Sequence, residues 1–156
     1  MGKLFAAGKF FGHCIGKNVS ADLLTSTLGL FVVTGGPIRV HSIGFMVTTA
    51  LPAGANTLKF QHTPSGGSAT DISAATDTAS GGAQQMYIMD GAKATALLKT
   101  TDVGILADGQ TLNMENIILS AGHIKAVFSG GPPATGAGLF FMEYSPLSHT
   151  TKVTVG

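Results

Sequence analysis

The spacing of apolar residues predicts short β-strands from about residue 28 onward. Apolar side chains recur at every second position, as they do in a strand with one face in a core, and clusters of glycine and proline interrupt them. Residues 56–63 are the clearest case, because Leu58, Phe60 and His62 alternate there with polar neighbours. Strand and helix patterns do not alternate along the chain, which excludes a parallel sheet flanked by helices.

Seven segments carry this strand pattern. They are residues 28–34, 38–49, 56–63, 85–89, 123–129, 139–144 and 152–155. Residues 93–100 fit either a strand or a helical turn, and residues 70–78 fit either a poor strand or an irregular excursion. The total of about eight short strands predicts a two-sheet sandwich of jelly-roll type or a small barrel.

The segment 38–49 changes parity along its length. Ile38 and Val40 share one face, whereas Ile43 and Phe45 fall on the other. One extra residue in a strand shifts every later side chain to the opposite face. We therefore expect a bulge near His41 and Ser42 that brings both apolar sets to the core.

Length and composition predict one all-β domain, an antiparallel β-sandwich with an extended N-terminal arm. The chain has 156 residues, which is the size of a single domain. We assign residues 1–22 to the arm and residues 23–156 to the sandwich. Only 11% of the residues are charged, which leaves little repulsion against association and suits a protein that works in an assembly.

Charge and hydropathy also exclude some classes of partner. The nine basic and eight acidic residues nearly cancel to a net charge of +1, so no basic stripe is available for nucleic acid. Each apolar stretch is interrupted before the ~18 residues that cross a bilayer, and the N-terminus lacks the unbroken apolar segment of a secretory signal. We expect no nucleic-acid partner, no membrane partner and no export signal.

Catalytic and metal-binding signatures are weak throughout the chain. Gly12–Asn18 resembles a phosphate loop but is one residue short, and Asn18 stands where the magnesium-binding hydroxyl belongs. The five histidines lack metal-ligand spacing, and the single cysteine, Cys14, cannot form an internal disulfide. The acidic residues lie mainly in turn-rich sequence, where aspartate serves backbone hydrogen bonding. We expect no catalytic residue, no metal and no cofactor.

The N-terminal arm has the most unusual composition. Its first 17 residues hold three phenylalanines, three lysines and four glycines, and no acid. A disordered tail is one interpretation, but large apolar side chains each lose about 1.5 to 3 kcal/mol when they stay in water instead of being buried. We therefore expect the arm to dock in a groove on another subunit. The candidate contact residues are Lys3, Leu4, Phe5, Lys9, Phe10, Phe11, Ile15 and Lys17.

From about residue 23 onward the sequence resembles small virion structural proteins of tailed bacteriophages. The resemblance lies in strand and turn segments at residues 30–37, 43–54, 56–60, 70–73, 118–125 and 143–147, for example LFVVTGGP at 30–37 and ILSAGHIK at 118–125. It implies a β-sandwich of the capsid decoration or cement type without enzyme activity. It also implies a place on the capsid exterior after synthesis in the bacterial cytoplasm.

The expected partners are the major capsid protein and further copies of the chain, with a homotrimer as the most plausible assembly. An alternative is a carbohydrate- or receptor-binding β module of a phage tail or fibre. Such modules usually present aromatic platforms, whereas this chain has no tryptophan and only two tyrosines, Tyr87 and Tyr144.

Overall fold

The protein is an all-β sandwich of two antiparallel sheets, as the sequence predicts. In the described residues each sheet has six strands, so the total is higher than the about eight strands that the sequence pattern indicates. Its structure, a computed structural model, describes residues 12–20, 27–54, 56–89, 95–100, 117–130 and 136–156. Within those ranges the chain forms strands and turns and no helix.

Twelve strands follow one another in the described residues. They are β1 (His13–Val19), β2 (Thr27–Thr34), β3 (Ile38–Thr49), β4 (Thr57–Pro64), β5 (Thr70–Asp71), β6 (Thr76–Asp77), β7 (Met86–Met89), β8 (Leu97–Lys99), β9 (Ile117–Leu119), β10 (Gly122–Ser129), β11 (Ala137–Pro146) and β12 (Lys152–Val155). Sheet A has the order β1-β11-β3-β7-β8, and β9 also pairs with β3. Sheet B has the order β12-β2-β10-β4-β5, and β6 also pairs with β4.

The pairing order is that of a jelly roll. β1 pairs with β11, β2 with β10, β3 with β7 and β4 with β5, so the chain resembles a long ribbon folded in half between β4 and β5 and then rolled. Consecutive strands from β1 to β4 alternate between the two sheets. Each sheet thus receives strands from both halves of the chain, and the core is enclosed by the roll.

An aromatic cluster fills the space between the sheets. Phe45 and Phe140 of sheet A stack with their ring centroids 4.5 Å apart. Phe60 and Phe128 of sheet B meet the Phe140 ring edge-on, at 6.2 Å and 6.4 Å. All four side chains are buried, and such edge-to-face pairs add to the stabilisation from burial. The alternation predicted for residues 56–63 is confirmed, because Leu58, Phe60 and His62 of β4 all face this core.

The predicted bulge in β3 is confirmed. Glu143 of β11 lies opposite Ser42, and the next residue, Tyr144, lies opposite Val40, which leaves His41 as the extra residue. Val40 and Ile43, on either side of the bulge, are both buried. The bulge therefore allows one long strand to present apolar side chains to the core along most of its length.

The two ambiguous segments also take definite forms. Residues 97–99 form a strand, β8, at the edge of sheet A. Residues 70–78 contain two strands of two residues each, β5 and β6, which pair in turn with β4. Both outcomes lie within the alternatives that the sequence leaves open.

Candidate functional site

The predicted arm contains the first strand of sheet A. β1 pairs with β11 along its whole length, from His13 opposite Tyr144 to Val19 opposite Gly138. The side chain of Ile15 packs against the core. Seven residues of the segment that we assigned to the arm are thus part of the sandwich.

Lys17 connects the two sheets at this edge. Its position opposite Phe140 directs its side chain between the sheets, and its Nζ donates hydrogen bonds to the backbone oxygen of Gly29 at 2.7 Å and to that of Gly156. Gly29 belongs to β2 and Gly156 follows β12, so both acceptors belong to the sheet B side. Lys17 and Ile15 contact their own chain in this structure. The other six candidates, Lys3, Leu4, Phe5, Lys9, Phe10 and Phe11, lie outside the described residues.

The outer face of sheet A carries an apolar row that crosses all five strands. Going from β1 to β8, the row consists of Gly16, Phe141, Gly44, Ile88 and Leu98, each paired with the next. Ile88 is only 4% exposed, although its neighbour Tyr87 is the one that points into the core. A Cβ atom on Gly44 would lie 2.5 Å from Cζ of Phe141. The edge of the Phe141 ring therefore occupies the position where Gly44 lacks a side chain.

A second apolar row lies beside the first. It joins Asn18, Leu139, Met46 and Met86, again by direct pairing. The three apolar members are partly exposed. We call the six outward side chains of Phe141, Ile88, Leu98, Leu139, Met46 and Met86 the apolar face.

Two opposite charges border the apolar face at one end. Glu143 pairs with Ser42, and Arg39 pairs with Ser145 in the next outward row. The carboxylate of Glu143 is exposed and lies against Gly12. The Nε of Arg39 is buried, and no atom of the described residues accepts a hydrogen bond from it.

The outer face of sheet B is polar instead. Its central row joins Gly29, Lys125, Gln61 and Asp71. Asp71 accepts hydrogen bonds from Nζ of Lys59 at 2.9 Å and from Nε2 of Gln61 at 2.6 Å. The neighbouring rows contain His123, Thr63, Thr154 and Thr57, and only Val32 and Val127 are apolar. The polar side chains of this face can form hydrogen bonds with water, so the face does not need a partner.

A cleft of about 250 Å³ opens between β4–β5 of sheet B and β9 of sheet A. His62 and Asp71 are its titratable lining residues, beside Ile117 and Ile118. Its volume is below the roughly 300 to 1,000 Å³ of ordinary ligand sites. The cleft is therefore small for a ligand-binding pocket.

Both titratable side chains of the cleft form hydrogen bonds. Nε2 of His62 lies 3.1 Å from the carbonyl oxygen of Ser120, and because a carbonyl only accepts, Nε2 carries the hydrogen. Burial lowers the pKa of His62 from 6.5 and outweighs this hydrogen bond, which raises it. The lowered pKa favours the neutral form of His62. Lys59 and Gln61 donate hydrogen bonds to Asp71.

The other described histidines near the core also contact framework groups. Nε2 of His41, the bulge residue, lies 2.7 Å from Oγ of Ser145 across the β3–β11 pair. His13 stacks on Tyr144 with ring centroids 5.5 Å apart. Nowhere in the described ranges do three or more histidine, cysteine, aspartate or glutamate side chains gather as metal ligands would.

Neither tyrosine presents its ring to the surface. Tyr87 is 0% exposed and Tyr144 is 9% exposed. Burial, followed by the charge of Asp77, raises the pKa of Tyr87 to about 12, and its hydroxyl donates to Oε1 of Gln85 at 3.2 Å. Burial also raises the pKa of Tyr144. Both rings therefore belong to the hydrophobic core on the sheet A side.

In comparisons with known proteins, no family model, no curated protein and no solved structure matches the chain. Separately, no helix long and apolar enough to cross a membrane occurs in the part of the chain that the structure describes.

The apolar face is the feature that our sequence analysis missed. A signal for it exists, because GLFFM at residues 138–142 and MYIM at 86–89 are continuous apolar runs, whereas residues 56–63 alternate. Continuous apolar runs are typical of strands that are covered on both faces. Treating all strands as half-buried concealed this difference between the two sheets.

Proposed function

We propose that the protein is a non-enzymatic structural subunit of a bacteriophage particle, which binds the capsid exterior as a decoration or cement protein. The partners in this proposal are the major capsid protein and further copies of the chain. The basis is the resemblance of sequence segments from about residue 23 onward to small virion structural proteins, together with two features of the fold.

The observation that carries the proposal is the anchoring of the N-terminal arm. Residues 1–11 lead directly into β1, which is paired along seven residues with β11 and tied to sheet B by Lys17. A segment that binds a large particle must transmit its attachment to the rest of the subunit. A strand paired along its length supplies that attachment, and the arm carries Phe5, Phe10 and Phe11 as contact residues.

The described groups with catalytic potential support a structural role. His62 holds the turn before β10, His41 bridges β3 and β11, and Asp71 joins β4 to β5. Each of these side chains has a task within the framework. This favours a subunit whose chemistry is devoted to keeping its shape.

The carbohydrate-binding alternative is less well supported. Sugar-binding surfaces commonly stack an exposed aromatic ring against the sugar, and both tyrosines of this chain are buried. The His62 cleft is polar on one side, but its histidine and aspartate are already engaged. A glycan array probed with the purified protein would revive this alternative if it bound a defined sugar.

Binding to capsids tests the proposal. The full chain and a variant that lacks residues 1–11 are each mixed with particles of the encoding phage from which the protein has been removed, and the particles are then sedimented. The deletion stops before Gly12 so that β1 stays whole. We expect the full chain to sediment with the particles and the shortened chain to remain in solution, with both unfolding at similar temperatures. Failure of the full chain to bind would contradict the proposal, and equal binding of both chains would remove the arm from it.

A further inference from the structure

We infer that, in the free chain, the cleft between β4–β5 and β9 is the docking site for the side chain of Phe5 from the chain's own N-terminal arm. The inference goes beyond the proposed function and does not depend on capsid binding. It assigns an occupant to a cleft that is small for a ligand, and a place to one of the three phenylalanines of the arm.

The cleft has the size and the lining that suit one aromatic ring. Its volume is about 250 Å³, and a cavity of roughly 150 Å³ is enough to bind a molecule of benzene. Its apolar lining consists of Ile72, Ile117, Ile118 and Leu119. Ile118 is 58% exposed, the highest value among the large apolar side chains of the described residues. A ring in the cleft would therefore remove apolar surface from water on both sides of the contact.

The polar lining of the cleft does not require a polar occupant. Nε2 of His62 donates a hydrogen bond to the carbonyl oxygen of Ser120. Asp71 accepts hydrogen bonds from Lys59 and Gln61. These hydrogen bonds lie within the framework of the sandwich, so they stay intact when an apolar side chain enters the cleft.

The arm leads into β1 at the end of sheet A where the cleft lies. His13, the first residue of β1, lies opposite Tyr144 of β11. Tyr144 lies opposite Val40 of β3, and Val40 in turn lies opposite Ile117 of β9. The four residues form one row across the sheet, and three strand spacings of ~4.8 Å place Ile117 about 14 Å from His13.

The length of the arm selects Phe5 among its three phenylalanines. An extended chain advances ~3.3 Å per residue, so Phe10 and Phe11, which directly precede Gly12, lie within about 7 Å of it. Both stop short of the cleft, because it lies on the far side of sheet A from β1. Phe5 is seven residues before Gly12 and can extend about 23 Å, which leaves about 9 Å for the path around β9.

The covalent link favours the chain's own arm over the arm of a second copy. A tethered segment meets its site at an effective concentration in the millimolar range when the tether can span the distance. A second copy at micromolar concentration competes poorly with such a segment. The contact would also keep Phe5 away from water before the chain joins an assembly.

Disulfide cross-linking of the purified full chain, without capsids, tests the inference. Ala6→Cys places a thiol beside Phe5, and Thr70→Cys places one on an exposed residue that lines the cleft. Both changes are made in a Cys14→Ser background, which removes the natural thiol. Under mild oxidation we expect a disulfide within one chain, detected by a non-reducing gel and by mass spectrometry of peptides.

A matched control tests the reach of the arm. Phe11→Cys replaces Ala6→Cys, and because it directly precedes Gly12, it should form no disulfide with Thr70→Cys within the chain. Circular dichroism establishes that each variant is folded. If Thr70→Cys does not fold, Ile118→Cys on β9 takes its place, since Ile118 also lines the cleft and is exposed.

A second pair of variants separates a docked ring from a loose tail, because a loose tail also brings its thiol to the cleft from time to time. Phe5→Ala, added to the Ala6→Cys and Thr70→Cys chain, should slow disulfide formation about tenfold, since the ring no longer holds the arm in place. Phe10→Ala in the same chain should change the rate by less than about twofold.

Three outcomes would overturn the inference. The first is the absence of a disulfide between Ala6→Cys and Thr70→Cys in the folded chain. The second is an equal rate of disulfide formation with and without Phe5→Ala, which would indicate a loose tail. The third is a disulfide that joins two chains, which would assign the contact to the arm of a second copy. Since capsids are absent, none of these outcomes bears on capsid binding itself.

Discussion

The two sheets of this sandwich share one core but have different outer faces. Sheet B turns lysine, glutamine, aspartate and threonine outward, and its side chains satisfy one another and water. Sheet A turns phenylalanine, isoleucine, leucine and methionine outward, with Phe141 lying over Gly44 and Ile88 almost completely buried. The difference shows that the fold requires only the inner faces of the sheets to be apolar. The outer face of a sheet can be polar or apolar without changing the fold.

The largest expected effect tests what the two sheets share. Phe60→Ala should lower the free energy of unfolding by about 3 to 5 kcal/mol, because it removes a fully buried ring that contacts Phe140. Phe45→Ala in sheet A should lose a similar amount. Chemical denaturation measures both changes. A loss below about 1 kcal/mol for Phe60→Ala would contradict its place in the core.

The next effect tests where the sheets differ. Ile88→Ala on the outer face of sheet A should cost about 2 kcal/mol, because its side chain is 4% exposed. Val32→Ala on the outer face of sheet B should cost less than about 1 kcal/mol, since that side chain is only half-buried. Chemical denaturation at low protein concentration compares the two variants. Equal losses would show that the outer faces do not differ in their burial of apolar side chains.

A smaller effect is expected from acid. The pKa of His62 is below 6.5 in the folded chain, so the unfolded chain binds the proton more readily. The free energy of unfolding should therefore decrease as the pH falls below about 6.5, until the pH passes the pKa of the folded chain, and be independent of His62 titration above that range. Denaturation between pH 8 and pH 5 measures this slope. The variant His62→Gln should reduce it, and an unchanged slope would assign the acid sensitivity to other groups.

The smallest effect concerns the polar face of sheet B. Asp71→Asn removes the charge that Lys59 contacts. Both side chains are partly exposed, Lys59 at 24% and Asp71 at 43%. Water screens such pairs, so we expect a loss of about 0.2 to 1 kcal/mol that shrinks at high salt. Denaturation at low and high salt measures it. A loss above about 2 kcal/mol would mean that the face depends on this pair far more than an exposed ion pair allows.

Much of the fold was predictable because the core imposes a strict alternation. The alternating strands Thr57–Pro64 and Gly122–Ser129 lie within two residues of their predicted bounds, and Lys152–Val155 matches them. The bulge at His41 was also predictable, because a change of parity within one strand has few other physical solutions. These features depend on residues that are close together in the sequence.

The candidate site was less predictable because it depends on distant pairings. The pairing of β1 with β11 joins opposite ends of the chain, so no local pattern marks residues 13–19 as a strand of sheet A. The apolar row likewise needs Phe141, Gly44 and Ile88 to be brought side by side. Short strands such as β5 and β6 have too few residues for any periodicity. The six arm residues from Lys3 to Phe11 stay a prediction.

The pairing of β1 with β11 also has a consequence for the synthesis of the protein. β1 leaves the ribosome early, but its partner β11 is made only after about 120 further residues, which takes on the order of ten seconds. During that interval β1 has no strand partner on its β11 side. The two strands must then be brought together across a long intervening segment, which has an entropic cost. We expect the pairing of β1 with β11 to be slow and to follow the synthesis of β11. The order of strands that encloses the folded core therefore also leaves the edge of β1 unpaired until β11 has been made.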